Sequence, residues 1–254
     1  MSGHSKWHNI KLKKGKVDAQ RGALFTKLSK EIILAAKNGS PDPEANYRLK
    51  MAVEKARESN MPMDNIKRAI ARATGGAGEK EIEEIRYEGY GPAGIAVIVD
   101  AATDNRNRTA SELRFLFSRN DGNLGETGSV GWMFAARGVL EVERGKLSED
   151  ELTEQALVDG VIDVRADALA DSEEAAAEVV TEPHALMAVK DALEARGLRV
   201  RSAQLVMEPT QTAKPSGADA ERVLAFLDAL DEHEDVQRVF SNADFDEAQL
   251  EALA

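Results

Sequence analysis

Apolar residues in the first 75 positions recur at the spacing of α-helices and predict three short helices. The first runs from about Asp18, a residue suited to N-capping, to Asn38. Its apolar face comprises Leu24, Leu28, Ile32 and Ala35. A second helix is predicted to begin at Asp42-Pro43 and to break at 60–62, and a third to end near Ala73. Helices this short predict a small bundle, preceded by an arm over residues 1–17.

After residue 79 the pattern changes to that of strands. Residues 82–88 and 94–101 predict two strands, Asp104 is expected to cap a helix to Arg119, and a short strand is expected near 130–134. The next segment predicts a strand (138–144), helix (148–159), strand (161–168), strand (177–181), helix (183–196) and strand (199–207). This is the βαββαβ order of a ferredoxin-like domain. Residues 208–217 read as a linker or edge strand.

The last predicted elements, a helix (218–231) and a strand (235–240), have no sheet of their own. We expect them to complete the sheet begun by 94–134. The fold class is therefore α+β and multidomain, with an N-terminal three-helix domain and two ferredoxin-like-type α+β domains, one inserted in the other. The predicted domains are a basic arm (1–17), a helical domain (18–77), a discontinuous α+β domain (78–136 and 208–245) and an inserted α+β domain (137–207).

Composition narrows the class of protein. The chain has no cysteine, which excludes disulfides, thiolate metal sites and a cysteine nucleophile. Its first residues lack the apolar stretch of a secretory signal, and no apolar run approaches the roughly 20 residues that cross a bilayer. We therefore expect a cytoplasmic protein with no membrane partner.

Charge is divided unevenly along the chain. The net charge is −12, yet residues 1–75 hold 16 Lys and Arg against 7 Asp and Glu, a net of +9. The remaining residues carry the compensating acidic excess. Such a division indicates that the N-terminal part binds polyanions and that the acidic remainder limits nonspecific binding to them.

The arm and the first helix hold most of the expected nucleic-acid contacts. These are Lys6, Trp7, Lys11, Lys13, Lys14, Lys16, Arg21, Lys27 and Lys30. Lysines neutralise phosphates and release counterions, and an indole stacks on an exposed base. The alternative is a solvated tail, and Trp7 has a second alternative as an anchor on the protein's own core.

A second group of expected contacts lies in the helix that ends at Arg119. Helical spacing turns Ala110, Leu113 and Phe117 to one side and Arg108, Phe115 and Arg119 to the other. We add Arg106, Arg108 and Arg119 to the nucleic-acid contacts. An outward phenylalanine between arginines suits stacking with RNA, and a domain-packing face is the alternative.

Motifs for other chemistry are weak. Gly89 to Gly94 matches G-x-G-x-x-G, but a strand follows where a dinucleotide site needs a helix, so we expect a hairpin turn. Paired carboxylates such as Asp231-Glu232 stand in acid-rich runs typical of solvated faces. After loss of Met1, Ser2-Gly3-His4 would suit incidental Cu(II) or Ni(II) binding. We expect no catalytic residues, cofactor, metal or small-molecule substrate.

Six stretches carry a resemblance to one family. They are Gly3-His4-Ser5-Lys6-Trp7, Arg21-Gly22 with Phe25-Thr26-Lys27-Leu28, Asn60-Met61-Pro62 with Asp64-Asn65-Ile66, Tyr87-Glu88-Gly89-Tyr90-Gly91-Pro92, Thr103-Asp104-Asn105-Arg106-Asn107-Arg108-Thr109, and Gly122-Asn123-Leu124-Gly125 with Gly128-Ser129-Val130. In these the chain resembles the YebC/PmpR family, whose relatives include a mitochondrial translational activator of a cytochrome oxidase subunit. The resemblance implies three domains, one inserted in another, and no enzymatic activity.

The resemblance also implies a regulator of gene expression, by the family's customary description a DNA-binding transcriptional regulator. The alternative is an RNA- or ribosome-associated translation factor, which the lysine arm with its aromatic residue favours. A protein-interaction module built on the acidic domains is a third hypothesis, and an enzyme is a fourth.

Overall fold

The computed structural model describes residues 19–75, 81–166 and 176–245. Within these ranges the chain forms seven α-helices and two four-stranded antiparallel sheets, which confirms the predicted α+β, multidomain class. Among the described helices, none combines the length and the apolar character that a membrane span requires.

The helical bundle consists of α1 (Ala19–Lys37), α2 (Tyr47–Glu58) and α3 (Met63–Ala73). Of the predicted apolar face of α1, the side chains of Leu28, Ile32 and Ala35 are buried, whereas Leu24 is 40% exposed. Helical periodicity gives the direction of a face but not how far along it the neighbouring helices extend.

The start of the second helix differs from the prediction. Asp42 caps a short 3₁₀ turn, Pro43–Ala45, through a hydrogen bond from the N–H of Glu44. The α-helix begins one turn later, where the side chain of Asn46 accepts from the N–H of Leu49. Both residue types cap helices well, and the sequence alone does not choose between them.

The first sheet is formed by β1 (Glu83–Tyr90), β2 (Ala96–Thr103), β3 (Asn123–Leu124) and β8 (Val236–Ser241). Its strand order is β3-β1-β2-β8, so the last strand completes the sheet as expected. Two helices cover one of its faces, α4 (Arg106–Arg119) and α7 (Ala218–Glu232).

The central strand β2 is buried from both sides. Val97 and Val99 pack with the apolar residues of α4 and α7, while Ala102 belongs to the core of the helical bundle. Between α4 and α7, the rings of Phe117 and Phe226 meet edge to face at 4.9 Å between centroids. Strand β2 therefore contributes side chains both to the core of the bundle and to the core between the first sheet and its two helices.

The second sheet is formed by β4 (Phe134–Glu143), β5 (Val161–Ala166), β6 (Ala176–Thr181) and β7 (Val200–Pro209). With α5 (Glu149–Ala156) and α6 (Leu186–Ala195) they follow the predicted βαββαβ order, and the strand order is β5-β6-β4-β7. The expected strand near 130–134 is instead a 3₁₀ turn, Gly131–Met133, after which β4 begins. Strand β7 extends to Pro209, into the predicted linker.

The chain divides into two compact units. One, the inserted unit, holds Met133–Thr212 and the second sheet; the other, the flanking unit, holds the described residues on either side of it, with the bundle and the first sheet. The core of the inserted unit is built from Leu140, Val179 and Val189, contributed by two strands and α6.

Candidate nucleic-acid interface

The arm residues predicted to bind nucleic acid lie outside the residues that the structure describes. They are Lys6, Trp7, Lys11, Lys13, Lys14 and Lys16. Arg21 lies in α1, but its side chain is likewise outside the described set. For Trp7, base stacking and anchoring on the core therefore both remain predictions.

The two predicted lysines of α1 face the end of α7 and the start of β8. Lys27 Nζ donates to the backbone carbonyl of Asp231 and lies 3.9 Å from its carboxylate. Lys30 Nζ donates to the carboxylate of Asp235 and, over 3.1 Å, to the carbonyl of Glu234. Both lysines therefore connect the bundle to the end of α7 and the start of β8. A phosphate group would have to compete with these contacts to bind either lysine.

Asp235 is the centre of a buried ionic network. Its carboxylate, which is fully buried, accepts from the Thr109 hydroxyl at 2.6 Å and from Arg108 Nη2 at 2.9 Å, in addition to Lys30. Burial raises the pKa of Asp235, but the hydrogen bonds from Lys30, Thr109 and Arg108 and the Lys30 charge outweigh burial and lower the pKa to about 2. The carboxylate is therefore ionised near neutral pH, as its pairs with Lys30 and Arg108 require.

Helix α4 presents a mixed surface to solvent. Its N-cap is Asn105, whose side chain accepts from the N–H of Arg108 at 3.2 Å; the predicted cap, Asp104, forms an ion pair with Arg108 instead. As the helical period predicts, Leu113 and Phe117 are buried, and Phe115 is 61% exposed. Arg106, Arg114 and Arg119 are exposed.

Helix α3 carries a cationic surface that the sequence reading did not single out. Ile66 and Ala69 face the core, while Lys67, Arg68 and Arg72 are exposed. At 100° per residue, these three cations cover about 140° of the helix surface. The signal was in the sequence: a helix with two buried apolar positions and three basic residues on the other side is strongly amphipathic.

Glu88 organises the glycine-rich loop beside the β1–β2 turn. Residues 89–94 form the expected hairpin turn, with Tyr90 opposite Ala96. The Glu88 carboxylate, 5% exposed, accepts from the N–H groups of Gly128, Val130 and Gly131 at 3.0, 2.9 and 2.6 Å. Burial raises the pKa of Glu88, but the three backbone hydrogen bonds and the Arg86 charge lower it overall. The loop is thus folded around an internal anion.

Three potential metal ligands lie close together in the flanking unit. Donor atoms of Glu112, His233 and Asp235 fall within 4.8 Å of one another. His233 Nδ1 accepts from the N–H of Asp235 at 3.1 Å, so Nε2 carries the proton and donates to Glu112 at 3.0 Å. With Asp235 already bound by cations, this cluster is a hydrogen-bonded network and its donor set does not suit a metal ion.

The chain matches two family models over most of its length. A model described as "TACO1/YebC protein N-terminal domain" covers residues 5–76, and one described as "TACO1/YebC second and third domain" covers residues 82–243.

Individual proteins are similar over the whole chain. A "probable transcriptional regulatory protein" from Pelotomaculum thermopropionicum is 50% identical over 249 residues, covering 97% of this chain and 100% of that protein. One with the same description from Rubrobacter xylanophilus is 49% identical over 255 residues and covers 100% of both. The crystal structure of a conserved hypothetical protein from Aquifex aeolicus superposes with a TM-score of 0.79 at 43% identity, covering 91% of this chain and 93% of that one.

Proposed function

Because the chain belongs to the TACO1/YebC family, we propose that it is a non-enzymatic, cytoplasmic regulator of gene expression that acts by binding nucleic acid. The described relatives are named as probable transcriptional regulatory proteins. The observation that carries the proposal is the exposed cationic face of α3, which places three of the basic residues of the +9 segment, residues 1–75, on one folded surface. Clustered cations on a rigid helix neutralise phosphates at low cost in side-chain order.

The arm and α3 have different roles in this proposal. The lysines of residues 1–17 supply sequence-independent attraction to the phosphate backbone, and α3 supplies a fixed surface on which the backbone docks. Lys27, Lys30 and Arg108 contribute indirectly, since their pairs with Asp231 and Asp235 keep the bundle in place against the sheet. Arg106 and Arg119 on α4 are further contacts available to the nucleic acid.

Transcriptional regulation through DNA is the first candidate function, because it agrees with the names of the relatives. A translation factor that binds RNA or the ribosome is the second. It is favoured by the first turns of α2 and α3, where side chains of the types that read bases already make contacts within the protein. Arg48 is paired with Glu84, and Asn65 accepts a hydrogen bond from Arg68. Reading of the DNA major groove usually requires such residues to be available.

One experiment separates the candidates. Cells that produce the full chain are crosslinked, the lysate is fractionated on a sucrose gradient, and the nucleic acid bound to the protein is sequenced. Cosedimentation with ribosomes and crosslinks to ribosomal RNA support translation, whereas discrete promoter fragments support transcription. Recovery of no more nucleic acid than from a variant without residues 1–17 and without the α3 cations would overturn the proposal as a whole.

A further inference from the structure

A shallow depression lies beside the exposed face of α4. It has a volume of about 480 Å³ and is lined by Ser111, Glu112, Phe115, Leu116, His233 and Glu234. This volume is within the range of roughly 300–1,000 Å³ that is typical of small-ligand clefts. All six residues belong to the flanking unit, and the helix that carries four of them is anchored by the ion pair of Arg108 with Asp235.

The lining of the depression includes one flat apolar side chain. Phe115 is the large apolar side chain of α4 that remains exposed, at 61%, while Leu113 and Phe117 on the same helix are fully buried. Phe115 and Leu116 together make only a small apolar surface, whereas docking of an apolar protein surface needs a larger contiguous patch. The Phe115 ring suits a single planar ligand, because every nucleobase has a face that stacks on an aromatic ring.

The polar side of the depression is preorganised. His233 is fixed in one tautomer by the N–H of Asp235 and donates to Glu112 Oε2 at 3.0 Å. Glu112 Oε1 makes no hydrogen bond to any described residue, so it remains an acceptor in the lining of the depression. A carboxylate oxygen accepts from an exocyclic amino group, as Glu and Asp do with cytosine N4.

The charges decide which part of a nucleotide can enter. The carboxylates of Glu112 and Glu234 line the depression and repel phosphate. Arg114 and Arg119 of α4, which precede and follow Phe115 in the sequence, are exposed. A nucleotide would therefore place its base inside and its phosphates toward the arginines.

We propose that this depression is a binding site for one unpaired nucleobase, stacked on Phe115 and held by Glu112. The site prefers bases that carry an exocyclic amino group, namely adenine, cytosine and guanine, over uracil or thymine. The inference rests on the proposed function and deepens it, because it assigns to α4 the recognition of single-stranded or looped nucleic acid, while the arm and α3 bind the backbone of any nucleic acid.

The test uses the full chain and two fluorescent RNA ligands, a hairpin with an unpaired loop and a blunt duplex with the same stem. Phe115→Ala is expected to weaken hairpin binding roughly ten-fold, the size expected for one lost stacked base, and to leave duplex binding unchanged. Phe115→Trp is expected to restore the hairpin affinity. Leu157→Ala, which removes a side chain of similar exposure (59%) in the inserted unit, is the matched control and should change neither.

Base preference is read from hairpins that differ only in the loop. Cytosine and adenine loops are expected to bind several-fold more tightly than a uracil loop, and Glu112→Gln is expected to reduce that difference. DNA hairpins with the corresponding loops establish whether the same base is taken from DNA.

The outcomes separate this inference from the proposed function. If the wild-type protein binds both ligands and Phe115→Ala leaves both affinities unchanged, or weakens both equally, the inference is overturned and the proposed function stands. If Phe115→Ala instead abolishes association with a protein partner or a second copy of the chain while hairpin binding persists, the depression is a protein-docking site and the inference is again overturned. If the wild-type protein binds neither the RNA ligands nor the DNA hairpins, both the inference and the proposed function are overturned.

Discussion

Arg108 and Asp235 form a charged pair in which one guanidinium nitrogen donates to both carboxylate oxygens, over 2.9 and 3.2 Å. Asp235 also accepts from Lys30 of α1, so one buried carboxylate joins the helical bundle, α4 and the start of β8. Both cations look like candidate phosphate ligands in the sequence. Their pairing with Asp235 makes them internal counter-charges, so among the described residues the exposed cations of α3 and α4 remain as the candidate phosphate contacts.

Removal of the central carboxylate is expected to destabilise the protein strongly. Asp235→Ala leaves Arg108 and Lys30 without their partner, and breaking a buried pair in this way costs about 3–5 kcal/mol. Because Arg108 is 37% exposed and recovers some hydration, we expect the lower end of that range. Urea unfolding measures the loss. Glu44→Ala, which breaks the exposed pair with Lys50, should cost less than about 1 kcal/mol. Equal losses from both variants would contradict the buried network.

The same carboxylate predicts a dependence of stability on pH. Folding lowers the pKa of Asp235 to about 2, from an unfolded value of about 3.9. A depressed carboxyl pKa stabilises the fold fully above the unfolded value, and this contribution is lost as the pH falls from about 4 through 2. The free energy of unfolding of the wild type should therefore fall by up to about 2 kcal/mol more than that of Asp235→Asn across this window. Urea midpoints at several pH values measure it, and parallel curves for the two proteins would rule it out.

Glu88 is expected to control the glycine-rich loop locally. Glu88→Gln replaces one acceptor oxygen with an amide donor facing backbone N–H groups, so at least one of the bonds to Gly128, Val130 and Gly131 is lost. Loss of hydrogen bonds to a charged, buried acceptor costs roughly 1.5–3 kcal/mol. Hydrogen exchange should show faster exchange of the loop amides, with Gly128 affected first, because the remaining oxygen keeps two bonds by facing Val130 and Gly131. Glu126→Gln, an exposed change in the same loop, should leave those amides protected; faster exchange in both variants would show that the loop does not depend on Glu88.

The parts of the fold that the sequence predicts are mainly those set by interactions between residues close together in the chain. The periodic burial of Leu28 and Ile32 and the βαββαβ order of the inserted unit follow from short-range patterns. The return of β8 to the first sheet follows because the last helix and strand have no other sheet to join. Helix starts were less certain where two capping residues compete. Asp42 and Asn46 are one turn apart, and Asp104 and Asn105 are adjacent, so the choice depends on the backbone path into the helix.

The candidate site was harder to predict because its decisive contacts join distant residues. Asp235 follows an acid-rich run, beginning at Asp231-Glu232, that reads as a solvated face, and nothing within a local window pairs it with Lys30 or Arg108. The exposed cations of α3 were visible as an amphipathic pattern. Their importance became clear only when the cations of α1 were found to be engaged with the end of α7 and the start of β8.

The cationic face of α3 is expected to contribute directly to binding of nucleic acid. Each phosphate neutralised by a basic side chain adds about 0.9 to the slope of log affinity against log salt for duplex DNA. Replacing both Lys67 and Arg68 with glutamine should therefore weaken binding and reduce that slope by up to about 2. Lys146→Gln with Arg199→Gln, in the inserted unit, removes the same charge from another exposed surface and serves as control. Fluorescence anisotropy at several salt concentrations gives the slopes. If the two double variants change the slope equally, net charge alone governs binding and α3 is not a specific contact surface.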